Sequence, residues 1–304
     1  MEKIAYHIPA LLHPTIDGVV TRVDGTYIDA TFGGGGHSSE LLSRLDANGR
    51  LFSFDQDIDA LANKIDDPRF CFVHSNFRYL RQFMRYYGVS GIDGLIADLG
   101  VSFHHFDMAQ RGFSFRFDAP LDMRMNSEAP LTAAQVVNTY DFDSLVRIFK
   151  LWGELPNARQ LANAIINRRT IRELRSTVEL AELLSPYLGR DKEKKEMAKV
   201  FQALRIEVND EMGALKDMLV AAQDLLVVGG RIAILTYHSI EDRIVKNFFK
   251  SGNIDGEIEK DFYGRKQCKL KVVNSKVITA DEDEVARNPR ARSAKLRIAE
   301  KCEK

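Results

Sequence analysis

The chain has 304 residues, 45% of them hydrophobic and 28% charged, which suits a folded protein of about two domains and excludes a disordered or fibrous one. No apolar run approaches the ~18 residues that span a bilayer, the start Met1-Glu2-Lys3-Ile4 lacks a basic-then-apolar leader, and Cys71, Cys268 and Cys302 are too scattered for a disulfide framework or a C-x-x-C zinc site, so a cytoplasmic protein is expected. The 43 basic and 43 acidic residues cancel, which argues against a general nucleic-acid binder, yet residues 92–143 hold eight acids and three arginines while residues 285–301 hold six bases and one acid.

In chain order, the pattern predicts a strand over 26–32, stopped by Gly33-Gly34-Gly35-Gly36, and then a helix over 38–45 with a serine available as its cap. A strand over 50–54 ends at Asp55, a helix covers 58–65, a third strand covers 70–74, a helix covers 79–87, and a fourth strand over 92–97 ends at Asp98. Strands alternating with helices at this spacing predict βαβ units and a parallel sheet. The pattern then changes. Phe113, Phe115 and Phe117, the turn Asp118-Ala119-Pro120, and Leu121, Met123 and Met125 predict a hairpin, followed by helices over 132–137, 142–151, 158–168 and 177–185. One long helix from near Lys195 carries Phe201, Leu204, Val208, Met212, Leu215, Leu219 and Leu226 at a period near 3.6, and Gly229-Gly230 ends it. A fifth strand over 231–237, a helix over 239–249 and a last strand over 293–299 restore the α/β pattern. The prediction is one α/β domain, residues 1–105 and 205–304, interrupted by a helical insertion over 106–204 with a hairpin at its start.

Five places carry chemistry. The strand, glycine turn and helix over 28–42 let a backbone approach an anionic ligand, and Asp55 stands where a ribose hydroxyl is bound. That spacing does not separate a nicotinamide from S-adenosylmethionine, but Ser38 occupies the last glycine position of G-x-G-x-x-G. Asp98-Leu99-Gly100-Val101-Ser102 ends a strand on the same edge, or else merely caps a turn. His238 follows another strand end, while Ser239 with Asp242 fits a capping box that needs no catalysis. Gln202, Arg205 and Asn209 form one polar stripe on the long helix, suited to base recognition or simply solvated. Asn288-Pro289-Arg290-Ala291-Arg292 opens a basic stretch reaching Arg297 that can meet phosphates.

These stretches, together with Gly112-Phe113-Ser114-Phe115, Pro120-Leu121-Asp122-Met123-Arg124-Met125 and His238-Ser239-Ile240-Glu241-Asp242-Arg243, resemble the bacterial 16S ribosomal RNA cytosine-N4 methyltransferases, the RsmH (MraW) family, over nearly the whole chain. The resemblance implies a class I (Rossmann-like) S-adenosylmethionine-dependent methyltransferase sheet with an inserted helical domain. It implies a cofactor held by Gly35, Gly36, His37, Asp55, Phe77, Asp98 and His105, the last standing where the family usually has glutamine. The product would be N4-methylcytidine in the decoding centre of 16S rRNA, made within the small ribosomal subunit and with no metal. Asp98, or a backbone carbonyl of Leu99-Gly100, is the candidate acceptor for an N4 hydrogen, and His238 is a second catalytic candidate, a neighbour able to stack on the base; Arg205, Asn209, Asn288, Arg290 and Arg292 are candidate RNA contacts. Two other readings are a nicotinamide-dependent oxidoreductase and a non-catalytic RNA-binding ribosome-assembly factor that keeps a nucleoside pocket.

Overall fold

The computed structural model describes residues 9–100, 108–264 and 267–303, with the backbone alone at Arg290. The chain forms two compact units, residues 1–100 with 212–304 and residues 101–211. The first unit begins with α1 (Leu12–Val19), β1 (Thr26–Asp29), α2 (Gly36–Arg44), β2 (Arg50–Asp55), β3 (Phe70–His74), α3 (Leu80–Tyr86) and β4 (Ile92–Asp98). The second holds α4 (Ala133–Thr139), α5 (Phe142–Leu151), α6 (Ala158–Arg169), α7 (Thr177–Leu184) and α8 (Glu193–Asn209). The chain returns through α9 (Glu211–Leu225), β5 (Leu226–Thr236), α10 (Ser239–Ser251), β6 (Leu270–Val272), β7 (Ile278–Thr279), α11 (Glu282–Arg287) and β8 (Lys295–Lys301).

The sheet of the first unit has the order β3-β2-β1-β4-β5-β8-β6, with β7 beside β8. Strands β1 to β5 pair in parallel; β8 runs antiparallel to both β5 and β6. Alternation along each strand divides the core between the two sheet faces. Ile28, Leu95 and Ile234 join Phe54, Phe248 and Phe249 in one cluster, while Tyr27, Ile96 and Leu235 join Leu51 and Ile298 in the other. Both faces are therefore covered, and β4 is buried from Ile92 through Ala97, apolar except for Asp93, whose carboxylate accepts from Thr26 N–H (2.8 Å). Each such side chain contributes roughly 1.5–3 kcal/mol of burial.

The helical unit has its own core, in which Val136, Leu145, Phe149, Leu161, Leu180 and Leu204 are fully buried. Its helices start where the sequence supplies caps. Thr132 and Gln135 close a capping box on α4, and Asp141 and Ser176 accept from the third residue of α5 and α7.

Four expectations are corrected. The long helix is two helices, because Asp210 takes a left-handed conformation (φ 45°, ψ 45°) and closes α8; the apolar period runs on through Val208, Met212 and Leu215, so the break leaves no mark in the pattern. The second unit accordingly runs to Glu211 rather than ending at Leu204, which lies inside α8. Gly229-Gly230 sits inside β5, where the pairing with β4 slips between Ile92 and Gly94. The hairpin of residues 113–125 does not form: its arms bond elsewhere, Leu121 N–H to Arg175 O and Met123 N–H to Arg111 O, and Met123 itself turns at φ 62°. The alternating Phe and Met residues serve packing, with Phe113, Leu121, Met123 and Met125 all in the helical core.

Candidate active site

The parallel strands place their carboxyl ends along one edge, and the site is built there. At the end of β1, Asp29 is buried; its carboxylate accepts from Thr31 N–H (3.0 Å) and from the Ser38 hydroxyl (2.6 Å), which also lies 2.8 Å from Ser53 Oγ. Ser38 thus ties α2 to β1 and β2 instead of capping the helix. The residue at the N-cap is Gly35 (φ 75°), and no side chain caps α2. The turn is held open: Gly33 N–H donates to Asp55 Oδ2 (2.8 Å), Asn63 Nδ2 donates to Gly33 O (3.0 Å), and Gly33 (φ 50°) has free space on its β-carbon side. At Gly36 a β-carbon would fall 2.3 Å from Pro9 Cγ, so only glycine fits the helix start.

Asp55 ends β2 beside His74 of β3, and Phe77 follows Asn76, packing partly buried on the sheet core. Asp98 ends β4, its N–H bonded to Thr31 Oγ1 (2.7 Å). Its register partner on β5 is Leu235, so Tyr237, one pleat further, projects from the same face. The Tyr237 hydroxyl donates 2.6 Å to Asp98 Oδ1, and His37 Nδ1 stands 3.9 Å from Asp98 Oδ2. His37 is buried, and among the described residues its Nε2 has no hydrogen-bond partner.

Burial sets the electrostatics. It pushes the Asp98 carboxyl up to about 7; the Tyr237 hydrogen bond works against it and the Glu241 charge works with it. Burial likewise raises Asp29 and depresses His37, and each shift is partly offset by the charge of the other group. Tyr237 is raised well above the usual phenol range by burial and by Asp98. No guanidinium or ammonium neutralises Asp98 among the described residues, so the site favours a cation brought in by a ligand.

His238 is the N-cap of α10, and Ser239 is its first helical residue, so the expected Ser239–Asp242 box shifts by one position. His238 Nδ1 accepts weakly from Glu241 N–H (3.5 Å), and Nε2 lies 3.1 Å from Glu241 Oε1 but off the hydrogen-bond direction. Glu241, fully buried, also accepts from Tyr237 N–H (3.0 Å). Asp242 instead holds Arg297 through two hydrogen bonds (2.7 and 3.1 Å).

The remaining sequence candidates divide. Arg205 makes a two-pronged pair with Glu211 (2.7 and 2.9 Å), Gln202 donates to Trp152 O, and Asn209 accepts from Met125 N–H while donating to Met123 O and Arg205 O. The polar stripe is therefore engaged within its own unit. Asn288 is buried and Arg292 exposed, the two ends of one 3-10 turn. His105 and the side chain of Arg290 lie outside the described residues. Sequence reasoning missed Tyr237 and Thr31, whose roles depend on the pairing of strands far apart in the chain, and Glu241, which bonds locally to Tyr237 N–H.

The residues present fit a nucleoside cofactor bearing a sulfonium: an uncapped helix start behind an open glycine turn, a buried imidazole nitrogen with no partner among the described residues, and carboxylates at the ends of the three adjacent strands β2, β1 and β4. The antiparallel β8 between β5 and β6 departs from the all-parallel order of nicotinamide-binding sheets. Fold and site define a class I, Rossmann-like methyltransferase, a class whose methyl donor is S-adenosylmethionine. The chain belongs to the MraW methylase family, whose model matches residues 4–302. It is 59% identical to the ribosomal RNA small subunit methyltransferase H of Phocaeicola vulgatus, over 98% of each chain. It is 57% identical to that of Bacteroides thetaiotaomicron over 99% of each, and 51% identical to that of Flavobacterium johnsoniae over 97% of this chain and 98% of that one. No helix among the described residues is long and apolar enough to cross a membrane.

Proposed function

We propose that the protein methylates the N4 amine of a cytidine in the decoding centre of 16S rRNA, within the small ribosomal subunit. The observation that carries the reading is the 59% identity, along 98% of the chain, to a ribosomal RNA small subunit methyltransferase. S-adenosylmethionine, when bound, supplies an electrophilic methyl group on a sulfonium. Gly35, Gly36, His37 and Asp98 would hold it, with Asp55 on the ribose, Phe77 near the adenine and His105 a further contact.

An N4 amine is a weak nucleophile, because its lone pair is delocalised into the ring. Asp98 helps by accepting one N4 hydrogen as positive charge develops on nitrogen, and by aligning that nitrogen with the methyl group. A carboxyl near 7 is well matched to that task at neutral pH. His238 is the second catalytic candidate, and its side chain caps α10. The cytidine must leave its stack to reach the strand ends. For the RNA backbone, Arg290 and Arg292 are the proposed phosphate contacts, with Asn288 shaping their turn. Arg205 and Asn209, expected from the sequence to meet RNA, have other work: Arg205 pairs with Glu211, and Asn209 braces the segment around Met123 and Met125.

Mass spectrometry of 16S rRNA from a strain lacking the protein tests the reading. The N4-methyl mark disappears and returns on complementation with this chain; an unchanged nucleoside profile overturns it. Calorimetric binding of S-adenosylmethionine without transfer to small subunits would instead favour the assembly factor.

A further inference from the structure

Nothing in the sequence sets Tyr237 apart, yet it is bound at both ends. Its hydroxyl donates 2.6 Å to Asp98 Oδ1, and its backbone N–H donates 3.0 Å to Glu241 Oε2. Its ring lies against the turn at Gly100 (φ 109°), where a β-carbon would meet it at 3.6 Å. The hydroxyl is thus fixed from β5 and from the start of α10, and it engages one carboxylate oxygen only. Asp98 Oδ2 is left towards His37, at 3.9 Å.

We infer that Tyr237 is a positioning residue for methyl transfer: it holds one oxygen of Asp98 so that the other meets the reacting amine as an ionised acceptor. The inference rests on the reading of Asp98 as that acceptor. Among the described residues, the groups facing Asp98 are Tyr237 after β5, His37 of α2, Asp29 of β1 and Glu241 of α10, while Glu284 of α11 acts on Tyr237. His37 is kept neutral by burial, and Asp29 is itself raised. The Tyr237 hydroxyl therefore favours the anion, and the buried Glu241 carboxylate opposes it. Removing the first and neutralising the second must move Asp98 in opposite directions, which a loss of packing alone does not do.

The test uses the full chain, small subunits from a strain lacking it, and tritiated S-adenosylmethionine. In Tyr237→Phe the acid limb of the kcat/KM profile moves up by about one pH unit, with rates near pH 7 down about fivefold, approaching tenfold at lower pH and recovering in alkali. In Glu241→Gln the same limb moves down. A second readout needs neither cofactor nor turnover: 13C NMR titration of the Asp98 carboxyl, assigned through Asp98→Asn, moves in the same two directions. A Tyr237→Phe limb that stays in place, or a loss equal at every pH, overturns the inference. If Tyr237→Phe does not fold, Glu241→Gln decides, and an unmoved carboxyl overturns it. Asp98→Asn that still transfers methyl groups sinks the reading of Asp98 and this inference with it. An inactive Asp98→Asn beside an unshifted Tyr237→Phe sinks the inference alone.

Discussion

Asp98 at the end of β4 and Asp122 in the turn before α4 leave similar shares of their side chains open, 24% and 25%, but Asp98 sits deeper among protein atoms, and the two titrate in opposite directions. Burial raises both. At Asp122, hydrogen bonds from the Arg124 side chain and backbone, with the charges of Arg124 and Arg111, outweigh it and hold the carboxyl low. Asp98 has only a phenol for support and another carboxylate nearby. A carboxylate satisfied by its own chain is scaffold, whereas one left in an unfavourable state is available for a ligand. The same distinction sorts the basic residues. Arg205 and Arg297 answer acids of their own unit, and Arg292 stands exposed.

The largest expected effect comes from Asp98→Asn. Methyl transfer falls by about 10²–10⁴ in single-turnover assays. The apo fold gains at alkaline pH, because a carboxyl raised in the folded state weakens folding as pH climbs from about 4 to about 7, by at most ~1.4 kcal/mol for each pH unit crossed. Urea denaturation at pH 5 and pH 8 reads this; a variant less stable than wild type at pH 8 breaks the contrast. Asp122→Asn does the reverse. It costs about 1–3 kcal/mol at neutral pH, and the cost fades as the medium is acidified through the carboxylate range, because a depressed carboxyl stabilises only while ionised. Equal loss at pH 3 and pH 7 would contradict the pairing with Arg124.

Smaller effects separate the arginines. Arg290→Ala with Arg292→Ala weakens RNA binding and lowers the salt slope by about 1.5–2. Arg205→Ala leaves that slope unchanged and lowers the melting temperature of the chain. A salt slope that responds to Arg205 would return α8 to the RNA interface. The smallest effect is expected at Gly35→Ala, about 1 kcal/mol from a β-carbon at φ 75°, seen as weaker calorimetric binding of S-adenosylmethionine.

How much of this the sequence disclosed depends on the range of the interactions. Asp55 and Asp98 were legible because a strand followed by an acid is a local pattern and parallel strands gather their ends. Tyr237 was not, since its partner lies 139 residues away and the β4–β5 pairing that joins them spans the insertion. The amide of Asn209 looked suited to bases, but the irregular backbone at Met123 and Met125 needed its donor and acceptor first. Asp210 broke a helix that hydrophobic periodicity carried straight through. The phenylalanine alternation at residues 113–117 obeyed the strand rule and served a loop, because a period of two says only which side is apolar.

The antiparallel β8 bears on how the chain folds. It lies between β5 and β6, so its residues 295–301 are interior to the sheet, and Ile298 packs onto Gly18 of α1. Contacts of such sequence separation close late, because a long loop must be ordered before they form. During synthesis, β1 to β4 emerge well before the strands that flank them, and the β4 edge stays open through the whole insertion. The helical unit, uninterrupted in sequence, can complete its core first. The proposed site straddles that delay: Asp98 is made early, and Tyr237 reaches it only once the second half of the sheet docks.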